Sequence, residues 1–144
     1  MSADLDQLAF RFFKLFARFE ATLKEREFYR VESGRIVVQW DRFANEVVGD
    51  DFLADLGDKA DSASYILDEP PKKQGPNEEG KIVWLDVAAN DKSAQALFGH
   101  IRRMRNNLYH GAKFNGTWFD PQRSERLLGH GLVVLEHYSR WLQH

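Results

Sequence analysis

The chain has 144 residues, of which 43% are hydrophobic and 29% charged, and a formal net charge of −2. That length suits one domain with its own core, and 11 Phe, 4 Trp and 4 Tyr are more aromatic residues than a disordered chain carries. The absence of Cys excludes disulfides, thiolate metal ligands and cysteine nucleophiles. Apolar runs of at most four or five residues are too short for a membrane span. The first residues lack the basic and apolar regions of a secretory signal. A cytoplasmic protein with no membrane partner is the expectation.

The charge is unevenly spread. Residues 1–91 carry 12 Lys/Arg and 19 Asp/Glu, a net −7, whereas residues 92–144 carry 8 and 3, a net +5. No acid occurs between Lys92 and Phe119, while Lys92, Arg102, Arg103, Arg105 and Lys113 supply five cations. Such a segment points to a phosphate or polyanion partner.

In chain order, Leu5, Leu8, Phe12, Leu15, Phe16, Phe19 and Leu23 fall at helical spacing. Asp4 is the expected N-cap. Phe10 and Phe13 widen the apolar stripe, so this helix is expected to bury more than one face. Ser33-Gly34 followed by Arg35-Ile36-Val37-Val38 suits a turn and a short extended piece. Residues 41–67 read as two or three short helices, with Asp41 as a cap and Phe43, Val47 and Val48 inward. Residues 69–80, with three of the four prolines, read as a mobile loop within a single domain of residues 1–144.

A long internal helix is expected over about 91–110, starting at Asn90-Asp91 and ending near Gly111. A loop over 113–117 follows. Asp120-Pro121 marks the start of a C-terminal helix over about 121–143, because Asp caps and Pro suits the first helical position. Gly99, Gly129 and Gly131 fit no phosphate-binding loop and are expected to let helices approach closely. The fold class read from these elements is all-α, a helical bundle.

The segment with the most chemistry is Arg102-Arg103-Met104-Arg105-Asn106-Asn107-Leu108-Tyr109-His110-Gly111. Guanidinium groups bind phosphate bidentately, and an imidazole moves protons near neutral pH. RNA cleavage needs that pairing: one group takes the proton of a 2′-hydroxyl while fixed positive charge holds the phosphate. No cofactor or metal is needed for that reaction. Asn106 and His110 are neighbours at i, i+4. Arg105 lies five residues before His110, about 140° away around an ideal helix. Either the helix unwinds before Gly111, or the pair assembles across a two-fold axis.

The element Arg105-Asn106-Asn107-Leu108-Tyr109-His110, continued by Gly111-Ala112-Lys113-Phe114, Asp120 and a long last helix, resembles the HEPN superfamily of all-α domains. The resemblance covers about the last 50 residues. It implies a homodimer through the Arg105–His110 region. It also implies a metal-independent endoribonuclease of toxin or defence type, with RNA as substrate and an antitoxin or other protein as a further partner. On that basis Arg105 would hold the phosphate, Asn106 would orient or polarise and His110 would be the acid/base. From the basic stretch itself, Arg102, Arg103 and Lys113 are candidates for binding RNA phosphates, against the alternative of a solvated face and a loop lysine. Members paired with a nucleotidyltransferase antitoxin carry a Tyr two residues after the His, whereas Ala112 stands there in this chain.

Other readings stand beside this one. Some domains of this superfamily bind RNA, nucleotides or proteins without catalysis. Asn and His near a helix end also satisfy its last carbonyls, and Arg pairs with acids. His100, His130, His137 and His144 lack metal-ligand spacing, so no metal site is expected.

Overall fold

The computed structural model describes residues 2–109, 113–114, 117–118 and 120–143. Helix α1 spans Ser2–Glu25 and leads into the hairpin β1 (Tyr29–Glu32) and β2 (Arg35–Val38). The short helix α2 (Trp40–Phe43) runs on as a π-type stretch, Ala44–Val48. Helix α3 (Phe52–Leu56), a 3-10 turn over Gly57–Lys59 and helix α4 (Ala60–Asp68) follow. A second hairpin pairs β3 (Lys73–Pro76) with β4 (Ile82–Leu85). Helix α5 spans Ala94–Tyr109. A third, very short hairpin pairs β5 (Lys113–Phe114) with β6 (Thr117–Trp118). Helix α6 (Pro121–Tyr138) continues as a 3-10 turn over Ser139–Gln143.

The chain is mostly helical, but the three antiparallel hairpins correct the strictly all-α expectation. Ser33 and Gly34 adopt φ of 50° and 76° between the paired residues Glu32 and Arg35, as a two-residue hairpin turn of type I′ requires. The expected loop over 69–80 contributes the strand β3. Its turn is organised by Asn77, whose Oδ1 accepts from Glu79 N and Lys81 N, both at 2.9 Å. The apolar run Ile82–Leu85 supplies the partner strand. The expected loop at 113–117 is likewise part of a hairpin.

Helix starts also move. Helix α1 already includes Ser2, so Asp4 lies in its first turn rather than at its cap, where a carboxylate complements the helix dipole. Helix α2 begins at Trp40, one residue before the expected Asp41 cap. Helix α5 begins three residues after Asp91. Ser93 Oγ accepts from Ala96 N at 3.1 Å, and Asp91 Oδ1 accepts from Ser93 N at 3.0 Å, so the acid sets the approach and the serine caps. Asp120 behaves as expected: its Oδ1 accepts from Arg123 N, with Pro121 in the first helical position.

The core is aromatic. Phe12, Phe16 and Phe19 of α1 pack with Trp40 and Phe43 of α2, Phe98 of α5 and Tyr138 of α6. Trp40 lies 5.0 Å from Phe16 and 6.0 Å from Phe98, ring centre to ring centre. Its buried indole N–H donates to Glu20 Oε2 at 2.9 Å, so the central ring carries no orphaned donor. Two expectations about packing fail. Phe10 and Phe13 are 62% and 42% exposed, so α1 buries one face only. Of the three helical glycines, Gly131 alone sits at a close approach: a Cβ there would lie 3.0 Å from Met104 Sδ and 3.1 Å from the Phe12 ring, whereas Gly99 and Gly129 face open space.

Candidate functional site

Helix α5 buries Ala94, Leu97, Phe98, Ile101 and Met104, so its polar side chains leave on two flanks and at its C-terminal end. At that end Arg105 and Asn106 come together. Arg105 Nη1 donates to Asn106 Oδ1 at 3.3 Å, and the guanidinium lies 6.0 Å from the centre of the Phe13 ring of α1. Asn106 is exposed and Arg105 half-buried. A guanidinium beside an exposed amide is the kind of donor pair that phosphate oxygens accept from.

The other expected residues do not join this pair into one face. Arg102 lies on one flank, in a recess of about 160 Å³ lined also by Arg30, Gln39, Asp41 and Arg42. Its cationic neighbours there are already committed: Arg30 pairs with Glu32 at 2.7 Å and Arg42 with Glu46 at 2.9 Å. Arg103 is half-buried, with a shielded Nε that meets no hydrogen-bond acceptor among the described residues, and its charge is felt at His100. Lys113 belongs to β5, and its side chain lies outside the described residues. His110, the expected acid/base, lies outside them too, as do Gly111 and Ala112.

Neighbouring residues that sequence reasoning left out turn out to shape this end of α5. Asn107 Nδ2 donates to the Lys72 carbonyl at 2.7 Å, tying the helix end to the β3–β4 hairpin. Arg123 of α6 donates to the Pro70 carbonyl at 2.7 Å and faces Glu69 at 3.8 Å. Between them opens a small pocket of about 50 Å³, lined by Trp84, Leu108 and Leu127 with Asn107, Asp120 and Arg123 among its polar groups. Only the cluster Glu69-Pro70-Pro71 beside a basic helix start hinted at this staple. The basic segment is also less naked than its sequence suggests, since Lys92 donates to Asp68 at 2.8 Å and to the Leu67 carbonyl.

The three described histidines, His100, His130 and His137, lie apart from one another. His100 is buried, and burial above all, helped by Arg103, holds its imidazole below the ordinary value. His130 Nδ1 meets Ser62 Oγ at 2.9 Å, with its ring 4.6 Å from Tyr65, and burial lowers its pKa also. His137 Nε2 meets Asp55 Oδ2 at 3.1 Å. That bond first, and Arg140 on the same carboxylate second, hold Asp55 below the usual carboxylate range against the opposing effect of burial. Among the described residues no three His, Asp or Glu side chains gather as a metal site would require, and no helix is long and apolar enough to cross a membrane.

Comparison with known protein families, with characterised proteins and with solved structures finds no match for this chain.

Proposed function

We propose that this chain is a HEPN-like, metal-independent endoribonuclease of toxin or defence type, acting as a homodimer through the Arg105–His110 region. The observation that carries the reading is the Arg105–Asn106 pair at the exposed end of α5, four residues before His110 in a stretch of sequence without acids. His110 takes the proton of a ribose 2′-hydroxyl, and the 2′-oxygen attacks the adjacent phosphorus. The bond to the 5′-oxygen breaks, and that oxygen takes a proton from water while His110 returns its own proton to the solvent. The products are a 2′,3′-cyclic phosphate and a 5′-hydroxyl. Arg105 holds the phosphate oxygens as their charge rises, with Asn106 fixing the guanidinium. On an ideal helix residues five apart would point about 140° away from each other, which favours a cleft that draws Arg105 and His110 from two copies.

The test is incubation of single-stranded RNA with the protein in excess chelator. The expected result is cleavage with cyclic-phosphate ends, reduced at least 100-fold in His110→Ala, in line with the loss of one acid/base group. Cleavage that survives in that variant overturns the site. RNA that is bound but left intact replaces the reading with a non-catalytic binding module.

A further inference from the structure

The outer face of α1 is a surface that the site leaves unused. From Gln7 to Phe19 the helix has no acidic residue, although it lies in the acidic half of the chain. Its exposed side carries Phe13, Ala17 and Phe10, then Lys14, Arg18 and Arg11, in that order around the helix at about 100° per residue. The three cations stand at i, i+3 and i+7, so they form one line about 10 Å long at 1.5 Å per residue. They flank a groove of about 300 Å³ whose other wall is Leu132 and Glu136 of α6 and Ser139 of the turn that follows it, with Leu15 between.

The charges on this face are only partly spent. Arg11 lies 3.6 Å from Glu136, the one carboxylate on the groove wall. Among the described residues Lys14 and Arg18 pair with no carboxylate. The two exposed rings each have a cation over them: Lys14 Nζ lies 5.3 Å from the Phe10 centre, and Arg105 lies 6.0 Å from that of Phe13. Phe13 therefore joins this face to the Arg105–Asn106 end of α5.

We propose that this face is a track for single-stranded RNA, with Lys14, Arg18 and Arg11 along the phosphates and Phe10 and Phe13 stacking on bases, leading the strand to Arg105. The inference rests on the RNA reading above and adds the binding surface to it. An aromatic rail beside a cationic rail is the combination that single-stranded nucleic acid uses, since bases offer π-faces and the backbone offers charge. A second copy of the chain fits this face less well, because a two-fold pairing on the stripe sets cations against cations.

The experiment is binding of a fluorescent 12-nucleotide oligouridine with 2′-O-methyl riboses, which lacks the attacking hydroxyl, measured over a range of salt concentrations. Lys14→Gln/Arg18→Gln should flatten the slope of log affinity against log salt by about 1.4, at roughly 0.7 per phosphate contact for a single strand. Phe10→Ala/Phe13→Ala should weaken binding about ten-fold or more at an unchanged slope. Arg30→Gln/Arg35→Gln, on the β1–β2 hairpin, should change neither. If the oligouridine binds equally to all these variants, the track is wrong while the nuclease reading stands. If the α1 variants lose binding but natural RNA is never cut, the track stands and the nuclease reading falls. If the parent binds no RNA, or if Phe10→Ser/Phe13→Ser only converts a dimer to monomers, the face is not an RNA surface.

Discussion

Phe12 and Phe13 are adjacent in the chain and opposite in fate. Phe12 is completely buried against Phe16 and beside Gly131, while Phe13 stays 42% exposed under Arg105. The inner face of α1 is wedged between α2, α5 and α6, whereas the exposed rings of its outer face lie under Lys14 and Arg105. The contrast shows that an aromatic residue on a helix is core only if a second element arrives to cover it. Both faces carry Phe; what separates them is Arg11, Lys14 and Arg18, which occupy the outer side and keep it in water.

The contrast can be broken most sharply by deletion on each face. Phe43→Ala, at the centre of the aromatic cluster, should cost about 3–5 kcal/mol in urea unfolding. Phe10→Ser with Phe13→Ser should change stability by no more than about 0.5 kcal/mol per site. A large loss in the outer variant would mean that these rings pack in solution. The glycines of α6 offer a finer version. Gly131→Val drives a branched side chain into Met104 and Phe12 and should cost about 1–3 kcal/mol. Gly129→Ala meets open space and should gain about 0.5–1 kcal/mol from helix propensity.

These elements also show what was legible from residues alone. The inner face of α1, the Ser33-Gly34 turn, the Asp120-Pro121 helix start and the course of α5 each follow from local pattern or capping chemistry, and the structure has them. The β3–β4 hairpin was hidden because its strands are short and proline-rich on one side, and their pairing is set by Asn77 and by the partner strand. The exposure of Phe10 and Phe13 was hidden because periodicity counts apolar residues on a helix but not the elements that face them. In the site, net charge by chain halves drew attention to residues 92–119 and away from α1. In space Lys92 pairs with Asp68 and Arg123 faces Glu69, whereas among the described residues Lys14 and Arg18 in the acidic half pair with no carboxylate.

The smallest expected effect is in pH. His100 and His130 sit below the ordinary value of 6.5 through burial, so the unfolded chain binds protons more readily than the folded one. Their contribution to stability is fully present above pH 6.5 and is lost as pH falls through their lowered folded values. Asp55 acts in a separate window: its contribution is present above its ordinary value of 3.8 and disappears as pH falls through its lowered folded value. Urea midpoints should therefore decline gently below pH 6.5 and again below pH 3.8, and His130→Gln should flatten the first decline. A midpoint that rises between pH 6.5 and 5 would contradict the burial argument.

The central claim is that the Arg105–Asn106 pair is a phosphate site and not a brace for the end of α5. Melting temperature and RNA cleavage measured side by side on Arg105→Ala decide between the two. A phosphate site predicts a melting temperature within about 2 °C of the parent, as for substitutions that break no core packing, with cleavage reduced at least 100-fold. A variant that melts markedly earlier while the folded fraction still cuts RNA at the parent rate would make Arg105 a structural residue and remove the site.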